Sequence, residues 1–281
     1  MASSDMAGVP DKVWYFAYGS NMKSSVMERR GMKPFAVKRL VVPSHVLTFD
    51  IFGVPYSEPA MASIAERETA TRGSGRGAAR SSSPSDSPSD SPSDSPSDSM
   101  QDSESSWPPP VHGIGYLLSA SEFRTLVISE GAGTAYLEVE LQARPLDGAD
   151  GESASLTVRT LVGRYPFRPN PLPSARYLRL LIDGAEEHGL PASYRDYLVS
   201  LPCYTKSLSP VEAFGARLFL GFWMPILNWT MRRIKSAARR NTASDRSPSR
   251  TGILVWLLFN AVWLHYDLVH CRLWGHGGGR R

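Results

Sequence analysis

The sequence predicts an α+β protein that ends in an apolar helical tail. Short runs of β-branched and aromatic residues, punctuated by Gly, Pro and Ser, recur from Tyr15 to Val162 and read as strands. Behind Ser-type caps, apolar residues repeat instead at helical spacing. From Leu218 to Leu273 two apolar runs stand apart from everything before them. A chain of 281 residues is long enough for one sizeable core with appendages.

The first strand is expected in Tyr15-Phe16-Ala17-Tyr18. It breaks at Gly19-Ser20-Asn21, residue types that open turns and leave backbone N–H groups free. Such a corner can present consecutive amides to an anion, or can simply be a turn at the end of a core strand. Ser24 to Arg30 follows as a short helix. Leu40 to Val42 and Val46 to Phe49 are strand-like, separated by Pro43. Pro55 to Pro59 is turn chemistry, and Met61 to Ile64 is a short strand.

Residues 66–106 change character. Large apolar side chains almost vanish, and the tetrapeptide SPSD repeats four times from Ser83 to Asp98. Such a segment cannot bury enough apolar surface to offset its ordering entropy, so it is expected to be a disordered insertion within one domain.

Structure is expected to resume with a strand at Val111 to Leu118. Ser119-Ala120-Ser121-Glu122 has capping-box spacing and opens a helix with Phe123, Leu126 and Val127 on one face. The helix runs into Ser129-Glu130-Gly131. Tyr136 to Leu141 and Leu156 to Val162 alternate as half-exposed strands do. Ser174 is an N-cap for a helix carrying Tyr177, Leu180, Leu181 and Ala185, which ends near Gly189. A second short helix carries Tyr194, Tyr197 and Leu198 and closes at Pro202.

The bulk composition narrows the function. The net charge is +4, and much of the basic excess lies between Arg232 and Arg250, so it describes the tail rather than a nucleic-acid surface. No nucleic-acid-binding signature is present, and no nucleic-acid partner is expected. Cys203 and Cys271 form no Cys-x-x-Cys pair, which fits a reducing compartment. His265 and His270 are not spaced to share a helix face as ligands, and no metal site is expected. The N-terminal MASSDMAGVPDK does not read as a secretory signal, so a cytosolic catalytic part is expected.

YFAYGSN resembles the opening of the γ-glutamylcyclotransferase family, where this corner holds the γ-glutamyl substrate. Phe49 to Ile64 loosely fits a later strand pair of that family. Glu130-Gly131, with Tyr136 and Val139 behind it, is similar to the segment bearing the family's catalytic carboxylate. The block PSARYLRLLIDGAEEHGLPASYRDYLVSLP repeats its Pro-Ser-x-x-Tyr start and its "GAxExGLP" joint. The resemblance covers Tyr15 to about Pro202, less the insertion. It implies a small mixed β-barrel with flanking helices over residues 12–205. It also implies a small-molecule γ-glutamyl substrate and no cofactor.

On that resemblance Glu130 is the catalytic acid–base. Tyr15, Phe16, Ala17, Tyr18, Gly19, Ser20, Asn21 and Tyr177 bind substrate. Glu122, Glu138 and Glu140 are the competing carboxylates. The implied reaction is cyclisation of a γ-glutamyl amine to 5-oxoproline. The long polar insertion and apolar tail look like those of fungal members, some of which act in biosynthesis of gliotoxin-type sulfur-bridged dipeptides. A non-catalytic γ-glutamyl-binding protein and a membrane-attached adaptor are the alternatives.

The tail, residues 213–274, is expected to attach the protein to a membrane surface. Leu218 to Met231 and Ile253 to Leu264 carry Trp223, Trp229, Trp256 and Trp263, with a run of arginines between them. Each run is short of the roughly 20 residues a spanning helix needs, so helices lying in the cytosolic leaflet are expected; a helical hairpin docked on the catalytic domain is the alternative.

Overall fold

The structure is a computed structural model that describes residues 12–67, 107–130, 135–147, 155–206, 209–240 and 249–277. The expected insertion lies almost wholly outside the described residues, as does Gly131. The elements in order are β1 (Lys12–Ala17), a 3-10 turn (Ser20–Met22), α1 (Ser24–Arg29), β2 (Ala36–Val42), β3 (His45–Val54) and β4 (Glu58–Glu66). There follow β5 (Val111–Ser119), α2 (Ala120–Ser129), β6 (Tyr136–Pro145), β7 (Leu156–Gly163), α3 (Ala175–Glu187) and α4 (Ala192–Ser200). The tail holds α5 (Pro210–Arg240), α6 (Ser249–His265), a π-helical turn (Tyr266–His270) and α7 (Cys271–Trp274).

Five strands close into a barrel in the order β1-β5-β2-β6-β7. All neighbours are antiparallel except β1 and β7, which meet in parallel at Tyr15 opposite Arg159. The Thr160 hydroxyl, buried here, reinforces that seam by donating to the Phe16 carbonyl at 2.7 Å. Closing a sheet on itself leaves no bare edge for pairing with another chain. The barrel interior and the faces of α2, α3 and α4 share one apolar core, with Phe16, Leu40, Ile114, Leu118, Leu126 and Leu181 fully enclosed.

β3 and β4 form a separate hairpin outside the barrel ladder. Both strands are longer than their sequence patterns indicate. β3 continues past Phe49 through a register shift between Thr48 and Ile51, and β4 begins at Glu58, before Pro59. The hairpin lies between the barrel and the tail. Ser63 Oγ accepts from the Gly163 amide of β7 at 2.9 Å. On its other side, Phe52, Val54 and Tyr56 pack with Phe219, Leu227, Val262, Trp263 and Tyr266 of the tail.

Two of the predicted caps are present. Ser119 and Glu122 bond each other's backbone amides at the head of α2, and Ser174 Oγ accepts from the Tyr177 amide at the head of α3. The helix expected to end near Gly189 stops at Glu187, and Gly189 has φ +61°, the left-handed conformation that glycine adopts without strain. The tail departs from its expected form. The basic stretch does not separate two helices at Met231; α5 runs on through Arg232, Arg233 and Lys235 to Arg240. Arg and Lys are good helix formers, and cations suit a helix C-terminus.

Candidate active site

β1 delivers its C-terminal end to the mouth of the barrel and turns there through Gly19 into the 3-10 turn. The Met22 amide bonds the Gly19 carbonyl at 3.0 Å and the Lys23 amide bonds Ser20 at 3.2 Å. The first amides of such a turn have no partner within it, so Ser20 and Asn21 lead with donors. α3 crosses closely over this corner. At Gly184 an added Cβ would lie 2.7 Å from the Lys23 nitrogen and 2.8 Å from Met22 backbone carbon, so only glycine lets the two backbones approach this far.

That close approach puts Tyr177, two turns earlier on α3, over the corner. Its phenol oxygen accepts from the Ala62 amide of β4 at 3.2 Å and would lie 3.3 Å from a Cβ on Gly19. Three elements distant in sequence therefore converge on one hydroxyl.

Glu130 caps the C-terminus of α2 and reaches the same place. Asn21 Nδ2 donates both to Glu130 Oε1 at 3.0 Å and to the Tyr15 hydroxyl at 2.9 Å. The Arg30 guanidinium, just past the end of α1, meets the same Oε1 at 2.7 Å and also donates to Ser129 Oγ. The carboxylate is thus held by a side-chain amide and a guanidinium on one oxygen. Asn21 is buried, and its Oδ1 has no hydrogen-bond partner among the described residues.

Around these groups lies a cleft of about 340 Å³. Its lining includes Tyr15, Tyr18, Gly19, Ser20, Asn21, Glu130 and Tyr177. Burial pushes the phenols of Tyr15, Tyr18 and Tyr136 upward, and the charge of Glu130 adds to this for Tyr15 and Tyr136. Burial likewise raises Tyr177, to about 12. All four therefore stand as neutral hydrogen-bond donors at physiological pH.

Most residues expected at the site are brought together; Phe16 and Ala17 are not part of the lining. Both are fully buried in β1, and the Phe16 ring packs where a Gly113 side chain would stand. The competing carboxylates are occupied elsewhere. Glu122 caps α2 and also accepts from the Lys33 amide at 3.0 Å, while Glu138 and Glu140 pair with Arg159 on the barrel exterior. Sequence reasoning missed Arg30, Met61, Ala62 and Arg176. Arg30 reads as an ordinary basic residue at a helix end, and only the folded chain sets it on Glu130. Arg176 stands at the mouth on Glu58, at 2.7 Å.

The barrel mouth thus gathers the Glu130 carboxylate held by Asn21 and Arg30, a corner of backbone amides and neutral phenols, a set of groups able to exchange protons with a small polar molecule. The chain is 42% identical to the gamma-glutamyl cyclotransferase gliK of Aspergillus fumigatus over 276 residues, covering 96% of this chain and 90% of that one. It is 35% identical to the gamma-glutamyl cyclotransferase aclK of Aspergillus oryzae, over 96% of this chain and 92% of that one. It is 38% identical to the gamma-glutamyl cyclotransferase verK of Clonostachys rogersoniana, over 61% of this chain and 85% of that one. Residues 209–273 match the AclK C-terminal domain. A solved structure titled gamma-glutamyl cyclotransferase superposes with a TM-score of 0.47 at 20% identity, covering 71% of this chain and 95% of that one. The chain belongs to the γ-glutamyl cyclotransferase family.

Proposed function

We propose that the protein cyclises a γ-glutamyl amine or glutathione-derived γ-glutamyl conjugate to 5-oxoproline, with Glu130 as the proton-transfer group. The observation that carries this is the single carboxylate oriented by Asn21 and Arg30 beside the Gly19–Asn21 corner. The α-amino nitrogen of the glutamyl group attacks its own γ-carbonyl carbon. The new C–N bond closes the five-membered ring as the original amide C–N bond breaks. The attacking nitrogen gives up two protons and keeps one as the lactam N–H; the departing nitrogen takes both and leaves as an ammonium.

Glu130 relays these protons. Asn21 and Arg30 both contact Oε1, so Oε2 is the oxygen assigned to the reacting nitrogen. Asn21 Oδ1 is an acceptor suited to the α-ammonium. The Ser20 and Asn21 amides suit the glutamyl carboxylate or the developing oxyanion, and Tyr177 adds a neutral O–H donor. Because the nucleophile is tethered to its target, holding the reactive conformer supplies several kcal/mol of the acceleration.

Glu130→Gln keeps the shape and removes the basicity. Turnover to 5-oxoproline from γ-glutamyl substrates should fall by about two or more orders of magnitude while the melting temperature is retained. A variant that turns over normally would remove Glu130 from the reaction.

The tail is the second part of the reading: it rests on the surface of an anionic membrane. Val211, Phe214, Leu218, Phe222 and Trp229 are exposed along one stripe of α5, and Ile253, Leu254, Leu257 and Leu264 are exposed on α6. The Arg233 guanidinium lies 5.3 Å from the Trp229 ring centroid, pairing a headgroup-seeking cation with an interfacial aromatic. Among the described residues one helical stretch, Thr251–Trp274, is long and apolar enough to cross a membrane. Its docking against the β3–β4 hairpin favours the surface arrangement.

A further inference from the structure

The cleft has a second chamber. Met61, Glu130 and Tyr136 line both the polar cleft and an adjoining apolar cavity of about 240 Å³. The walls of that cavity come from elements the chemistry does not otherwise use. Ile51 and Phe52 come from β3, Tyr165 from the segment after β7, Met231 and Lys235 from α5, and Trp256 and Phe259 from α6. The surface is aromatic on several sides: Tyr165 and Trp256 have ring centroids 6.2 Å apart, and Phe52 and Phe259 6.1 Å apart. Lys235 is half-buried at this cavity and makes no ion pair among the described residues.

We propose that this chamber is the leaving-group subsite, and that the tail helices set which amines the enzyme releases. The inference rests on the cyclotransferase reading. In that reaction the glutamyl half lies at the Gly19–Asn21 corner, and the departing nitrogen must stand within reach of Glu130 to receive its protons. The departing half then extends beyond Glu130, away from the corner, and the apolar chamber opens there. Its chemistry selects an amine bearing an aromatic ring, with an anionic end for Lys235. An apolar cavity of about 150 Å³ accommodates a benzene ring, so 240 Å³ has room for one ring and its linking atoms. A small leaving group such as alanine would leave the chamber unfilled and forgo that burial.

Full-length protein is assayed for 5-oxoproline release from γ-glutamyl-alanine and from S-benzyl-glutathione. The wild type should favour the benzyl conjugate in kcat/KM by about tenfold or more, the order that filling an apolar pocket gives. Met231→Trp, which fills the chamber, and Trp256→Ala, which removes a wall, should each lower that ratio about tenfold. Turnover of γ-glutamyl-alanine reports in the same experiment that the variant is folded and its acid–base chemistry intact. A wild type without preference, or variants whose ratio is unaltered, would overturn the subsite. Release of 5-oxoproline from neither substrate would overturn the cyclotransferase reading and the subsite with it.

Discussion

Asp50 shows how one side chain can carry a cost that its surroundings relieve only in part. It lies in β3 at 2% exposure, and its Oδ1 has no hydrogen-bond partner among the described residues. Its nearest cation, Arg168, is 3.9 Å away and half-exposed. Burial raises its carboxyl above the ordinary value, against the smaller opposing influences of Thr48 and Arg168. A raised carboxyl pKa means the folded state prefers the neutral acid. The penalty is therefore absent below the ordinary carboxylate range and complete once the pH exceeds the raised folded value. Asp50→Asn should raise the melting temperature at pH 7, and the gain should shrink to nothing as the pH falls below about 4. A melting-temperature difference that does not vary with pH would refute this. At this scale the sequence was informative where chemistry is local. The Ser119–Glu122 box and the Ser174 cap depend on residues three apart. Arg30 and Asp50 were not legible, because their roles come from partners about 100 residues away or from burial alone.

Gly184 decides whether two elements can meet. It stands where α3 touches the turn after β1, and a methyl group there collides with backbone rather than with a movable side chain. Gly184→Ala should therefore displace α3 from the corner and draw Tyr177 off Gly19 and Ala62. Alanine favours a helix more than glycine does, so the helix itself persists. Turnover should fall about tenfold to a hundredfold, as misplacements near 1 Å do, while far-ultraviolet circular dichroism stays unchanged. Full turnover in this variant would show that the approach is not needed. The individual elements were largely readable, because strand alternation and helix periodicity are properties of short windows. Their assembly was not. Nothing in β3 or β4 says that they form a hairpin beside the barrel instead of entering it, and β3 reads as ending at Phe49 because Asp50 looks like a solvent residue.

For the molecule as a whole, the tail presents two apolar surfaces and the domain covers only one. Inward, Phe219, Leu227, Val262 and Trp263 are buried against the hairpin, with Trp263 Nε1 donating to the Gly53 carbonyl at 3.1 Å. Outward, the stripes on α5 and α6 stay exposed. The two runs are apolar around most of their circumference, so no periodicity marks which face docks, and docking on the domain stood in the sequence as the alternative to the attachment that its tryptophans and arginines favoured. The exposed stripe should bring the protein to vesicles containing anionic lipid, with each arginine near the surface contributing about 1 kcal/mol. Flotation with such vesicles should carry the wild type upward and leave the double variant Trp229→Glu, Leu257→Glu in the dense fraction, with both retaining cyclotransferase turnover. Wild-type protein that stays in the dense fraction at ordinary salt would overturn membrane attachment.

The seam between β1 and β7 has a consequence for how the population of molecules is read. The strand that fastens the hoop at Tyr15 opposite Arg159 is also the strand that ends in the Gly19–Asn21 corner. Tyr18, on the cleft wall, ties itself to the Leu161 carbonyl across the same seam. Unfastening the hoop and dismantling the corner are therefore one event. If the corner holds the substrate as proposed, a chain with an open barrel has none to work with, and catalytic rate becomes a census: under denaturant, surviving turnover counts the molecules whose hoop is still clasped.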